Sequence, residues 1–240
     1  MTSSPLCWPG GKSKLKKRII AKIPPHKTYV EPFVGGGHVF FAKPLAEKNV
    51  INDLDKDLIN FYKDLKKNGC KTAKTCKLPM TKEEFDKNKD TTPCGFISRV
   101  KKSYGCNRKK FQNNHNNLKM ANNIKSCSSQ QDKLRHTDIL NKDYDTVLEK
   151  HNHKDTFAYL DPPYVDSEGM YKANNGVSPD KICKSLKGFK GKFLLSYNDD
   201  PSVKKACKNF KIKKIDTKYE LQRTQTGKMK PVKELLISNY

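Results

Sequence analysis

The sequence has no apolar run long enough to cross a membrane, only 25 acidic residues against 49 lysines and arginines, a single tryptophan, and no C-x-x-C pair among its eight cysteines. Each shortage excludes something. A spanning helix needs about 20 consecutive apolar residues, and the opening MTSSPLCWPGGKSK places no apolar stretch ahead of its charges. No membrane association, signal peptide or anchor is therefore expected, and an intracellular, soluble location follows. Structural zinc asks for closely spaced ligand pairs, whereas Cys7, Cys70, Cys76, Cys94, Cys106, Cys127, Cys183 and Cys207 are scattered and the H-N-H of His151 and His153 has no cysteine beside it. No metal is expected, and the cysteines read as reduced, mostly buried thiols. The shortage of acids leaves a net charge of +24, far more than solubility requires, so a polyanionic partner is the natural inference. The excess is uneven: Thr91 to His136 holds ten Lys or Arg and one acid, and Lys204 to Lys233 holds eleven against two.

What is present is an alternation of short apolar runs and amphipathic stretches. At 240 residues the chain can bury one substantial core. Thr28 to Val34 predicts a strand that runs into Gly35, Gly36 and Gly37. A helix follows from His38, shortened or kinked by Pro44, then a strand ending in Asn52-Asp53, then a helix over Asp57 to Asn68 with Leu58, Ile59, Tyr62 and Leu65 on one face. From Gly69 to about His136 the chain is polar, without a strong apolar period of its own. The alternation resumes with a strand at Ile139 and a helix over Tyr144 to His151. Phe157 to Leu160 then reads as a strand buried on both faces, as in a helix-covered parallel sheet. Helices over Pro179 to Leu186 and Ser202 to Asn209 and strands over Lys192 to Tyr197, Lys211 to Asp216 and Glu234 to Asn239 complete the chain. The last two strands have no helix between them and should pair antiparallel at the sheet edge. The reading is one α/β sandwich, 1–68 and 137–240, interrupted by a basic insert, 69–136.

Chemistry collects where strands end. In an open α/β sheet ligands gather beyond the carboxyl ends of the strands, and the buried run FAYL stops there at Asp161, Pro162, Pro163 and Tyr164; a plain turn opened by Asp explains the same four letters. The glycine turn lets backbone approach a ligand closely. Asp53, about twenty residues on at the end of the next strand, is where a nucleoside's ribose hydroxyls are usually held, though a helix N-cap would also place an acid there. Trp8 is core or a ligand contact. Lys12 belongs to a loop folding over a small molecule, or is a solvated helix lysine.

Together these segments resemble the Dam-type, alpha-group adenine-N6 DNA methyltransferases, in family order from Trp8 to the C-terminus. WPGGK, Trp8 to Lys12, is similar to the element that contacts S-adenosylmethionine; Glu31 to Gly37 matches F-x-G-x-G through Phe33, Gly35 and Gly37; Asn52-Asp53 matches the acidic second motif; Asp161 to Tyr164 matches the catalytic D-P-P-Y. NKDY, Asn141 to Tyr144, resembles the element near the cofactor's adenine, and Ser196 to Asp199 and Glu234 to Tyr240 the closing elements. The resemblance implies a Rossmann-like S-adenosylmethionine-dependent sandwich, mostly parallel with an antiparallel edge strand. It implies cofactor contacts by Trp8, Gly10, Gly11, Lys12, Glu31, Phe33, Gly35, Gly37, Asp53, Asp143, Tyr144 and Asp161. It also implies transfer of a methyl group to N6 of an adenine flipped out of double-stranded DNA. Asp161 and the Pro162 carbonyl would accept the two N6 hydrogens, with Pro163 fixing the backbone. Tyr164 would stack on the base, a task for the ring and not the hydroxyl.

The insert supplies RVKKSYGCNRKK, in which Arg99, Lys101, Lys102, Tyr104, Asn107, Arg108, Lys109 and Lys110 suit phosphates and base edges; a flexible polar loop would share that composition. If the insert reads the target, exchanging it should change the methylated site and leave cofactor affinity alone. TQTGKMK, Thr224 to Lys230, resembles the family's basic hairpin near DNA and equally a solvated turn. A cognate restriction endonuclease would be a natural partner, and a monomer or weak dimer is expected. The competing readings are an RNA adenine methyltransferase on the same fold, a protein-glutamine methyltransferase, which usually carries Asn where Asp161 stands, and a basic nucleic-acid-binding protein without catalysis.

Overall fold

The computed structural model describes residues 1–77, 81–89, 91–112, 127–164, 176–223 and 229–240. Seven strands, Thr28–Glu31 (β1), Lys48–Asn52 (β2), Asp138–Leu140 (β3), Thr156–Leu160 (β4), Lys192–Asn198 (β5), Lys211–Arg223 (β6) and Met229–Ser238 (β7), form one sheet in the order β3-β2-β1-β4-β5-β7-β6. The first five are parallel. β7 runs against both its neighbours, so the reversed strand lies one position in from the edge and not at it. β6 and β7 lie next to each other in the chain and pair antiparallel, and β7 fills the place beside β5.

Local sequence explains most element ends. Lys16–Ile20 (α1) precedes β1, and His38–Ala42 (α2) stops because Lys43, held before Pro44, takes an extended conformation. Lys56–Asn68 (α3) starts where the Asp55 carboxylate accepts the backbone N–H groups of Asp57 and Leu58, and ends at Gly69 with positive φ. β4 is buried along its whole length and stops at the two prolines. Its residues alternate between two apolar layers. Phe157 and Tyr159 join Tyr29, Ile51 and α3 on one face. Ala158 and Leu160 join Val30, Val50 and the helices Tyr144–Lys150 and Pro179–Lys187 on the other. The result is an α/β sandwich, mostly parallel, as expected.

The insert departs from its sequence reading. It forms Lys71–Thr75 (α4), Lys82–Lys87 (α5), Pro93–Lys101 (α6) and Cys127–Arg135 (α7), and it adds to the main core. Phe96 is buried and stacks on Phe61 of α3 at 5.5 Å between ring centroids, and Ile97, Val100 and Leu134 lie in the same cluster. A few well-spaced apolar residues on short helices are enough to cover α3 without producing a long periodic run.

The expectation of reduced thiols is also corrected. All eight cysteines are paired, as Cys7–Cys106, Cys70–Cys127, Cys76–Cys94 and Cys183–Cys207, with Cα–Cα distances from 5.3 to 5.9 Å. The partners are 18 to 99 residues apart, so no local spacing signals them. Three of the four pairs involve the insert, and Cys7–Cys106 fastens it to the residue before Trp8. Among the described residues no helix is long and apolar enough to cross a membrane, and no group of His, Cys, Asp and Glu could hold a metal ion.

Candidate active site

The chain leaves β1 toward β2 on one side of the sheet, and β4 lies on the other, so the carboxyl ends of β1 and β4 flank a topological switch point. Glu31 ends β1, and Asp161 follows the last residue of β4. Among the described residues, the Asp161 carboxylate is held on one oxygen. Lys12 Nζ lies 2.6 Å from Oδ1, and the Ser196 hydroxyl donates to the same atom at 2.9 Å. Tyr159, 3.0 Å from Ser196 Oγ, completes a buried chain in which its O–H can donate to Ser196 while Ser196 donates to the acid. No described residue hydrogen-bonds Oδ2. Burial raises the Asp161 pKa, and the Lys12 charge works against that rise.

Tyr164 is fixed from three directions. Its ring stacks on Tyr197 at 5.6 Å, the Lys12 ammonium lies 4.8 Å from its centroid, and its hydroxyl donates to Glu234. Tyr197 also donates to the Pro163 carbonyl at 3.1 Å, so consecutive residues of β5 secure different parts of the motif: Ser196 the acid, Tyr197 the backbone and ring. The expectation that only the ring of Tyr164 matters is therefore incomplete. Lys12, expected at the cofactor, reaches Asp161, the carbonyl of Gly10 at 3.0 Å and Glu234 at 3.5 Å.

A second cluster forms around the glycine turn. Gly35 has a positive φ, and a side chain there would meet Trp8 Cδ1 and Nε1 at 2.8 Å, so Trp8 lies directly on the turn. The Gly35 N–H donates to Asp53 Oδ2 at 2.9 Å and the Asp55 N–H to Oδ1 at 3.0 Å. Capping of α3 falls to Asp55, which leaves Asp53 as the acid that ties β2 to the turn. Burial pushes the Asp53 carboxyl up to about 6 against these two hydrogen bonds. Glu31 is buried, accepts the Tyr29 hydroxyl at 2.6 Å, and is pushed up to about 8, chiefly by burial with the Asp161 charge adding to it. Phe33 packs on Tyr144 at 5.2 Å, whereas Asp143 is exposed and caps the helix through the Asp145 N–H.

The family of proteins described as "D12 class N6 adenine-specific DNA methyltransferase" matches this chain over residues 8–97 and 94–221. The chain belongs to that family. Similar proteins run its full length. The Type II methyltransferase M.MjaIII of Methanocaldococcus jannaschii is 27% identical over 98% of both chains. M1.LlaDCHI of Lactococcus lactis subsp. cremoris is 25% identical over 97% of this chain and 94% of its own. M.CviBI of Paramecium bursaria Chlorella virus NC1A is 23% identical over 97% of this chain and 98% of its own. The chain is thus a DNA adenine methyltransferase, and its matched span contains Trp8, Glu31, Asp53 and Asp161.

In this D12 methyltransferase the eight insert side chains expected at DNA do not share one surface. Lys102 and Arg108 are buried. Arg108 pairs with Asp55 and lies over the rings of Trp8 and Phe96, at 5.4 and 5.0 Å from their centroids. Arg99 donates to the carbonyls of Phe85, Asn88 and Arg108. Tyr104, Lys109 and Lys110 are exposed, while Lys101 and Asn107 are half-buried. Ser196, Tyr197 and Glu234 entered the sequence reading only as members of the closing elements, with no role given to any of them. Ser196 and Tyr197 sit at the end of β5, one strand over from Asp161.

Proposed function

We propose that this chain transfers a methyl group from S-adenosylmethionine to N6 of an adenine flipped out of double-stranded DNA, with Asp161 receiving the amine. The observation that carries the reading is the one-sided grip on Asp161. Lys12 and Ser196 hold Oδ1, and among the described residues Oδ2 has no hydrogen-bond partner. An ionised carboxylate accepts on both oxygens, so Oδ2 can take one N6–H while the Pro162 carbonyl takes the other. Two acceptors draw the amino nitrogen toward tetrahedral geometry and free its lone pair for in-line attack. Tyr164, braced by Tyr197 and Glu234, offers the base a ring whose plane is already set.

The residues present fit the methyl donor. Trp8 lies on the Gly35 turn, Asp53 stands at the end of β2 where ribose hydroxyls are held, and the buried Glu31 carboxyl lies within the field of Asp161, which shares Lys12 with Glu234, so that acids gather where a cation would bind. S-adenosylmethionine, when bound, supplies an electrophilic methyl on a positively charged sulfur. Catalysis then comes from positioning and electrostatics, and no covalent enzyme intermediate is required.

For DNA, we take 69–136 as the target-recognition region, with Tyr104, Lys109 and Lys110 outward on the turn between Ser103 and Phe111. A second contact is the ribbon of β6 and β7, whose pairing continues from Asp216–Lys233 to Arg223–Met229 after β5 ends opposite Glu234. It extends past the carboxyl end of β5, on the side of Asp161, and a two-stranded ribbon fits the major groove. Its tip, 224–228, lies outside the described residues, as does 113–126 of the insert. Asp161→Ala tests the reading: folding is expected to persist while methyl transfer is lost, and a native rate in the purified variant would overturn it.

A further inference from the structure

Glu234 is out of character with its neighbourhood. It begins Glu-Leu-Leu-Ile on β7, where Leu235, Leu236 and Ile237 are buried and apolar, and it is itself fully buried at 0% exposure. Placing a carboxylate there costs desolvation free energy that leucine would not. It pairs across the sheet with Asn198 of β5 and Ile215 of β6, at the last position where β7 touches β5. One of its oxygens, Oε1, accepts the Tyr164 hydroxyl and lies 3.5 Å from Lys12 Nζ. Lys12 pairs in turn with Asp161, three residues before Tyr164, so Asp161, Lys12, Glu234 and Tyr164 close a ring of contacts.

We infer that Glu234 is a positioning residue for methyl transfer, anchoring the tip of Tyr164 and sharing the Lys12 ammonium with Asp161; this rests on the roles assigned above to Asp161 and Tyr164. Two consequences follow from the geometry. A ring held on its face by Tyr197 and at its tip by Glu234 cannot swing or tilt, so its plane is ready for the base. A lysine drawn toward two acids binds Asp161 less completely than one drawn toward a single acid, which preserves the acceptor strength that the N6 hydrogens need. Removing the Glu234 charge would turn Lys12 wholly onto Asp161. Removing the side chain would also release Tyr164.

The test measures methylation of unmethylated duplex DNA by Glu234→Ala, Glu234→Gln, Tyr164→Phe and the double variant Glu234→Ala/Tyr164→Phe. Asp161→Ala is run beside them, with thermal unfolding and donor affinity recorded for each. Glu234→Ala is expected to lower kcat by roughly 10²-fold, the scale of a misplacement of about 1 Å, with KM for DNA and donor changing much less. Glu234→Gln keeps an amide oxygen that can accept the Tyr164 proton and should recover part of the loss. The double variant should be no slower than Glu234→Ala alone, because both changes cut the same contact. A native kcat in both Glu234 variants, or losses that multiply in the double variant, overturns the inference. So does a lowered melting temperature with kcat intact, which would make Glu234 structural only. Should Glu234→Ala fail to fold, Glu234→Gln and Tyr164→Phe decide the matter between them. An active Asp161→Ala would instead overturn the reading of the site itself.

Discussion

Lys12 is buried between two carboxylates, and the state of Asp161 depends on it. Burial raises the Asp161 pKa and the Lys12 charge opposes the rise, while the proposed chemistry needs the acid ionised. Methylation should therefore fall as pH is lowered through a value above the ordinary aspartate range. Lys12→Met, which removes the opposing charge, should move that acid limb of the kcat profile to higher pH; an unmoved limb would separate Lys12 from the acid. Glu31 makes a second prediction. Its carboxyl is pushed up to about 8, so at neutral pH it is mostly protonated, and a cationic donor that prefers the ionised form must release its proton. Donor affinity should rise with pH up to about 8, and calorimetry in buffers of different ionisation enthalpy should report proton release that Glu31→Gln abolishes. The same raised pKa stabilises the unliganded fold at low pH, and that contribution declines as pH climbs from the ordinary glutamate range to about 8.

Among the elements, the turn from Ser103 to Phe111 ties the insert to the segment that carries Trp8. Cys106 and Arg108 hold positive φ without being glycine, a conformation that persists only where the surroundings enforce it. Here they do, through the Cys7–Cys106 bond and the Arg108 pair with Asp55 beneath Trp8. The expectation that the insert can be exchanged without touching cofactor affinity is accordingly revised. Arg108→Ala should weaken donor binding and lower the melting temperature. Lys109→Ala and Lys110→Ala should leave donor affinity unchanged and each reduce the salt dependence of DNA binding by about 0.9 in log–log slope. Equal donor affinity in Arg108→Ala would detach the turn from the cofactor side. These elements also show how much was legible in advance. The strands were readable because acids, glycines and prolines punctuate them, so Asp53 and Asp161 could be placed at strand ends from letters alone, whereas Glu31, read inside a strand from Thr28 to Val34, is in fact the last residue of β1. The insert was not, because its helices are short and bury isolated residues such as Phe85 and Phe96. Glu234 was legible as the start of a closing element but its role was not, because its partners Tyr164 and Lys12 lie far away in the chain and meet it only once β7 has returned beside β5.

Over the whole molecule, one sheet carries the acids of the site at its carboxyl end, with the paired β6 and β7 ribbon projecting from the same end, and the net charge of +24 draws it to a polyanion. Membership of the D12 family makes that polyanion DNA and the reaction adenine methylation, and the geometry at Asp161 turns the reaction into a claim about one nitrogen. The decisive measurement incubates the purified chain with S-adenosylmethionine and unmethylated duplex DNA, with single-stranded DNA and RNA of the same sequence in parallel, and maps methyl groups at base resolution. N6-methyladenine at a defined sequence in the duplex, absent when Asp161→Ala replaces the native chain, is the expected result. Methylation confined to RNA, methyl groups on any other atom, or undiminished transfer by Asp161→Ala would contradict it.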